Sequence, residues 1–362
     1  MTRVLWHSHS PLAATGYGTP TALWLPVLRD LGYEVTASAF TGQSMDFTLG
    51  GIEVINTAEN EFTGRPLADL AARIKPDILI TLMDIWVYPP HVIDQTGIPA
   101  VNWIPVDTTP LSVLDERYFR QSTAFPVAMS EYGARTLEAA GIDAAAIPYA
   151  FNPAVFRPDQ ADRDTARREA GLDGKFAVGI NAANVERKAW PEQLSGYARL
   201  WREHPGEVVL LARTSREGAV DLAAVVRALG LPPEAIRWGF CGDLNGPSLA
   251  SWYRTLDVLC SATCAEGFCM PVAEAQACNT PVIVTDAPPV SEEAGRHGRK
   301  VPCEPAWHQG HQAWWHRPSV TGIHQALEDA LAAERGDVTG HVEQYKIGNV
   351  APLWAALIEK RT

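Results

Sequence analysis

Residues 257–285 read D-V-L-C-S-A-T-C-A-E-G-F-C-M-P-V-A-E-A-Q-A-C-N-T-P-V-I-V-T, and their order decides how the chain is built. Val258 to Ala262 is an apolar run of the length of a buried strand. A loop from Thr263 to Met270 follows, then Pro271, whose fixed φ and missing N–H suit the first position of a helix. Val272 to Ala277 continue that helix. Asn279 stands where a left-handed residue ends it, and Pro281 to Thr285 is a second apolar strand. This is a βαβ unit. Its loop leaves the carboxyl end of a parallel strand, the edge at which open α/β sheets take ligands.

The chemistry lies in that loop. Glu266 and Glu274 flank Gly267, Phe268, Cys269 and Met270. Gly267 lets the backbone approach a ligand closely. The first helical turn offers N–H groups at the positive end of the helix dipole, a ready anion site. Carboxylates repel phosphate but accept hydrogen bonds from sugar and ribose hydroxyls. Amides for phosphate, with a carboxylate on either side for hydroxyls, predict a nucleotide sugar.

The stretch E-G-F-C-M-P-V-A-E-A-Q-A-C-N-T-P-V-I resembles the E-x7-E signature of retaining GT-B glycosyltransferases of family 4, usually E-G-F-G-x-P-x-x-E-A-x-A-x-G-T-P-V-I. The resemblance implies an α/β GT-B fold, with two facing Rossmann-like domains, mostly parallel sheets and a C-terminal crossover helix. It also implies that Glu266 orients the sugar ring and Glu274 holds the ribose hydroxyls. Two positions depart from the signature. Cys269 replaces a glycine, narrowing the pocket or requiring another backbone turn, and Asn279 replaces a glycine at a position where Asn tolerates the left-handed region.

Composition fits this reading. The 362 residues suffice for two domains of about 150–200 residues each. With 30 basic and 42 acidic side chains the net charge is −12, which opposes broad binding to nucleic acid or anionic membrane. No apolar run of ~18 residues occurs and no signal peptide is evident, so a soluble, cytoplasmic protein is expected, in a bacterial or phage-infected cell. All six cysteines (Cys241, Cys260, Cys264, Cys269, Cys278, Cys303) lie in the second half without C-x-x-C spacing, and are read as buried free thiols. His308, His311 and His316 are read as members of a loop packed by Trp307, Trp314 and Trp315 rather than as metal ligands. No metal is assigned.

At the amino end, Arg3 to His7 reads as a strand and Thr19-Pro20 as a helix start. Gly16 and Gly18 lie between them. A dinucleotide fingerprint would need a third glycine and an acidic residue ending the second strand, and both are missing. In family 4 enzymes such a loop lies across the cleft from the donor phosphates, a role the resemblance carries to Gly16 and Gly18. Asp84 and Asp107 end strands. Asp107 is favoured as the contact to donor sugar or acceptor, with a helix-capping role as the plain alternative.

The sequence divides into a domain over 1–150, a polar linker over 151–174, a nucleotide-sugar domain over 175–345 and a terminal helix over 346–362 packing back on the first domain. Within N-A-A-N-V-E-R-K-A-W-P (residues 181–191), Lys188 matches the lysine of the family's R-x-x-x-x-K-G. Arg187 precedes it, and the usual upstream arginine is absent. The resemblance casts both as the clamp that neutralises the diphosphate. The loop at Cys241 lies where the family seats the nucleobase. I-P-Y-A-F-N-P-A-V-F-R-P, L-A-S-W-Y-R-T-L-D and P-P-V-S-E-E-A-G resemble further family stretches, so the likeness covers most of the chain.

The expected activity is transfer of a hexose from a nucleoside diphosphate sugar, a UDP-sugar being favoured, to an acceptor hydroxyl. It would be metal-independent and need no cofactor. A GT-B epimerase or phosphorylase and a catalytically silent nucleotide-sugar binder are the alternatives. V-L-W-H-S-H-S-P and T-L-M-D-I-W-V resemble enzymes of actinobacteria and their tailed phages, some of which glycosylate hydroxymethylated DNA bases. The acceptor therefore stays open among small molecule, glycan, protein and modified DNA, and the protein is a monomer or homodimer. Trp6, Trp24, Trp86 and Trp103 suit stacking or core.

Overall fold

The computed structural model describes residues 1–57, 65–87, 89–239, 244 and 246–362, without the side chains of 65, 66 and 86. Cys241 lies outside the described residues, as does the side chain of Trp86. The chain divides into two units, one of Met1–Ala150, His308–Ala313 and Ile347–Thr362, the other of Phe151–Trp307 and Trp314–Lys346.

The first unit holds β1 (Arg3–Ser8), β2 (Glu34–Ala39), β3 (Phe47–Leu49), β4 (Ile52–Asn56), β5 (Ile78–Leu82), β6 (Ala100–Ile104), β7 (Phe125–Ala128) and β8 (Ala145–Ala146). Their order is β3-β4-β2-β1-β5-β6-β7-β8. Only β3 with β4 pairs antiparallel; the other neighbours are parallel. Strands such as β5, buried at every residue, read as continuous apolar runs because helices cover both faces of a parallel sheet. Those helices are α1 (Gly18–Asp30), α2 (Arg65–Ile74), α3 (Pro90–Asp94), α4 (Val113–Phe119) and α5 (Glu131–Ala139). α1 begins at Gly18, two residues before the Pro20 expected at its first position, with Thr19 inside the helix rather than its cap. Tyr17 is its N-cap, and the Thr15 hydroxyl, rather than Thr19, accepts the Gly18 N–H at 2.9 Å.

The second unit is a six-stranded parallel sheet of β9 (Phe176–Asn181), β10 (Val208–Arg213), β11 (Ile236–Gly239), β12 (Val258–Ser261), β13 (Val282–Thr285) and β14 (Arg299–Val301). Its helices are α6 (Gln160–Glu169), α7 (Trp190–Glu203), α8 (Leu222–Leu229), α9 (Gly246–Thr255), α10 (Met270–Ala277), α11 (Val290–Glu293) and α12 (Val320–Ala332). Val178, Ile180, Trp190, Leu194, Tyr197 and Ile323 belong to the core between the sheet and α7 and α12. The strand order is β11-β10-β9-β12-β13-β14. The chain thus builds outward from β9 through β10 to β11, then returns to the other side of β9 with β12. That reversal opens a crevice between the carboxyl ends of β9 and β12, where doubly wound sheets bind ligands.

α10 ends as its sequence predicts. Asn279 has φ +60°, its N–H reaches Gln276 O at 2.9 Å and the Thr280 N–H reaches Ala275 O at 2.8 Å. This is the paired closure of a Schellman motif.

Two stretches differ from expectation. Residues 151–174, expected as a linker, are built into the second unit. Asp159 caps α6, and Arg163 and Arg167 of that helix bind Asp257 at 2.5 and 3.0 Å. The Trp-rich stretch, expected as a loop, is a two-stranded sheet of β15 (Cys303–His308) and β16 (Ala313–Pro318). Trp307 and Trp314 are exposed and only Trp315 is buried, so the first two pack no loop interior.

α13 (Ile347–Arg361) closes the chain and supplies Trp354 to the first unit's core. Trp6, Trp24, Trp103 and Trp354 are wholly buried. Their rings meet edge to face, with Trp354 5.2–6.0 Å from the other three. That geometry suits the aromatic quadrupole. Trp6, Trp24 and Trp103 are therefore core, unavailable for stacking on a sugar or base.

Candidate active site

The crevice between β9 and β12 receives one loop from each strand. The loop after β9 forms a short 3-10 turn over Glu186–Lys188 and then places Ala189 at φ 49°, ψ 41° before α7 begins. The loop after β12 carries Glu266. Lys188 Nζ lies 2.5 Å from Glu266 Oε1, and Arg187 Nη1 2.6 Å from Glu266 Oε2. Arg187 also donates to Ala265 O at 3.1 Å, and the Cys264 N–H donates to Arg187 O at 2.7 Å. The two loops are thereby joined through both side chain and backbone.

Glu266 is 3% exposed. Burial alone would raise its carboxyl. The charges and hydrogen bonds of Lys188 and Arg187 outweigh that and hold it below the usual carboxylate range. The group is ionised at neutral pH, a buried anion compensated by two cations.

Glu274 has a different environment. It sits one helical turn into α10, and its Oε2 accepts the Tyr253 hydroxyl at 2.9 Å. Tyr253 in turn accepts Asn181 Nδ2 at 3.0 Å. Burial raises Glu274 to about 7, against the lowering effect of the Tyr253 hydrogen bond. Two carboxylates of one motif are thus set apart, Glu266 held below the usual carboxylate range and Glu274 raised well above it.

Cys269 lies at the N-cap of α10. Its thiol is 3.2 Å from Ser261 Oγ, and its N–H donates to Glu293 Oε2 at 2.8 Å. The amide at Cys269, expected for phosphate, is therefore held by a carboxyl of α11. Burial raises Glu293 to about 8, and its Oε1 has no partner among the described residues. Gly267 is buried, Met270 is partly exposed, and Phe268 packs edge-on against Tyr345 at 5.1 Å. Burial pushes the thiols of Cys260, Cys264, Cys269 and Cys278 up to about 12. The five described cysteines are free, but Cys264 and Cys303 are only partly buried.

The remaining expected residues belong to the first unit. Gly18 permits a close crossing, since a Cβ there would stand 2.1 Å from Ala13 O. Gly16 would meet nothing, and its carbonyl accepts the Tyr149 hydroxyl at 3.0 Å. Asp107 follows β6 and does not cap α4, a role taken by Ser112. It stands near Asp115, whose carboxyl rises to about 7 through burial first and then the charges of Asp107 and Asp84.

Sequence reading assigned no role to Tyr253, Asn181, Glu293 and Arg213. Tyr253 was within reach, since L-A-S-W-Y-R-T-L-D places it at the tyrosine of a family stretch. Arg213 ends β10 opposite Asn181 and is 4% exposed, with its guanidinium 5.6 Å from the Trp252 ring. His308, His311 and His316 form no metal-sized group among the described residues. No helix described is long and apolar enough to cross a membrane.

Residues 192–309 match the family model described as "Glycosyl transferases group 1". The D-inositol 3-phosphate glycosyltransferase of an Arthrobacter species is 31% identical over 130 residues, 34% of this chain and 30% of that protein. Its namesake from Pseudarthrobacter chlorophenolicus is 31% identical over 151 residues, 38% of this chain and 33% of that protein. The similarity thus spans about a third of each relative. Among solved structures, sucrose-phosphate synthase from Thermosynechococcus elongatus superposes with TM-score 0.79 at 15% identity, covering 99% of both chains. Anabaena Alr3699/HepE in complex with UDP and glucose gives TM-score 0.74 at 14% identity, covering 99% of this chain and 100% of that one. The fold is GT-B.

Proposed function

We propose that the chain is a retaining glycosyltransferase that moves a hexose from a nucleoside diphosphate sugar, with a UDP-sugar favoured, to an acceptor hydroxyl. The observation that carries this reading is the pairing of the buried Glu266 with the half-buried Lys188 and Arg187 at the sheet's switch point, beside the N-terminus of α10. The family match over residues 192–309 supports it.

As the bond from the sugar's anomeric carbon to the diphosphate breaks, negative charge builds on the departing oxygen. Lys188 carries three donors, and the Glu266 carboxylate fixes its position. Fixed cations aimed at developing charge lower the barrier because no reorganisation is needed during reaction. Arg187 and the α10 amides other than that of Cys269 add to the same field. They replace a metal ion, so the reaction is metal-independent. Glu266 orients the sugar hydroxyls, Glu274 the ribose, and Asp107 contacts sugar or acceptor. Gly16 and Gly18 serve the donor phosphates. Glu266 and Glu274 act through hydroxyls and are not a hydrolytic acid–base pair.

The test is UDP release from a panel of UDP-sugars in EDTA, with hydroxyl-bearing acceptors and NMR of the glycosidic product. The reading predicts acceptor-dependent release and a product with the donor's anomeric configuration. Inversion would remove the retaining assignment, and absence of release with any donor would leave the binding-protein alternative.

A further inference from the structure

Gly196 sits at the middle of α7, where a Cβ would stand 2.4 Å from Ile323 Cγ2 of α12. Only glycine lets the two helices approach so closely. The consequence appears two turns further along α7, on the same face, at Glu203 and the C-cap residue His204. Glu203 Oε2 lies 3.2 Å from His324 Nε2. His324 Nε2 lies 3.6 Å from Glu328 Oε1, one turn along α12. One ligand atom from each of Glu203, His324 and Glu328 falls within 4.8 Å of the others.

We propose that Glu203, His324 and Glu328 form a binding site for a divalent transition-metal ion, for which Zn²⁺ is the probe. Zn²⁺ bonds of about 2.0–2.1 Å to imidazole nitrogen and carboxylate oxygen in a tetrahedron place neighbouring ligands about 3.3–3.4 Å apart. The separations of 3.2 and 3.6 Å bracket that edge, and the third pair, Glu203 and Glu328, lies within 4.8 Å. One imidazole with two carboxylates is a donor set for a borderline ion, with water completing the coordination. His204 Nε2 lies 3.1 and 3.2 Å from the two oxygens of Glu328 and orients that carboxylate, as outer-shell partners of metal ligands do. Location adds to the chemistry. Glu203 is the last residue of α7, where the helix dipole favours positive charge.

The ion clamps α7 to α12 far from the reacting groups. Lys188 precedes the opposite end of the 14-residue α7, about 20 Å away at 1.5 Å per residue. The site is thus separate from the proposed metal-independent transfer.

The experiment is calorimetric titration of Zn²⁺ into tag-free, EDTA-treated full-length protein, paired with thermal unfolding with and without Zn²⁺. Expected are one ion per chain and a melting temperature that rises with Zn²⁺ concentration. His324→Ala and Glu328→Gln abolish both. His204→Gln weakens affinity about 10–100-fold, the range for outer-shell partners. Should either α12 variant fold poorly by circular dichroism, the more exposed Glu203→Gln gives the same reading. No binding by the wild type, or binding unchanged in the folded variants, overturns the proposal.

Discussion

The ammonium of Lys188 and the carboxylate of Glu266 meet at 2.5 Å across the switch point of the second sheet, 78 residues apart in sequence. Glu266 is shared with Arg187. Losing Lys188 therefore leaves the buried carboxylate one cation, and the site loses a donor. Lys188→Ala is expected to lower kcat by about 10²–10³-fold, the scale of removing one transition-state donor, with a smaller change in KM. Steady-state kinetics on the folded variant provide the check, and near-normal turnover refutes the clamp.

Glu293 predicts a pH signature. Its carboxyl, raised to about 8 by burial, keeps its proton in the folded chain where the unfolded chain has lost it. Folded protein then binds more protons between roughly pH 4.5 and 8, so stability falls as pH rises through that window. Glu293→Gln keeps an acceptor for the Cys269 N–H and removes the titration. Melting curves from pH 5 to 8.5 should fall more steeply for the wild type than for the variant; parallel curves contradict the assignment. Glu274, raised to about 7, titrates alike in both proteins.

Ala189 occupies the left-handed region at φ 49°, where the similar family pattern carries glycine after the lysine. A Cβ there costs about 1–2 kcal/mol, partly offset by the greater freedom of unfolded glycine. Ala189→Gly should stabilise by about 0.5–1 kcal/mol, seen as a raised denaturation midpoint at unchanged m-value. A lowered midpoint shows that the methyl group, buried here, packs better than its backbone strain costs.

Trp354 joins α13 to Trp6, Trp24 and Trp103 with no exposed surface. Trp354→Ala should cost about 3–5 kcal/mol, as for large aromatic truncations in cores. Chemical denaturation followed by tryptophan fluorescence reads the loss. A change under 1 kcal/mol contradicts the core role.

What was legible in the sequence was local punctuation. Pro271 and Asn279 each restrict their own backbone, so the closure of α10, and its start to within one residue, could be read before any packing was known. The meeting of Lys188 with Glu266 was not read from the sequence; it depends on β9 and β12 becoming neighbours in the sheet. The Tyr253–Glu274 contact and the seat of Glu293 on the Cys269 amide depend on how α9 and α11 pack, which no spacing encodes. Buried tryptophans share their composition with stacking platforms, and only burial separates Trp103 from an exposed ring such as Trp307. The strands β15 and β16 were missed because the histidines and glutamines between their tryptophans resemble a loop.

The measurement that bears most directly on the central claim is calorimetric binding of UDP, GDP and ADP, each in EDTA, to the wild type and Lys188→Ala. One nucleotide class is expected to bind without metal, and the Lys188→Ala variant, folded by circular dichroism, to lose about tenfold or more in affinity. Absence of binding by every nucleotide, or equal affinity in the two proteins, contradicts a donor site built on Lys188 and Glu266.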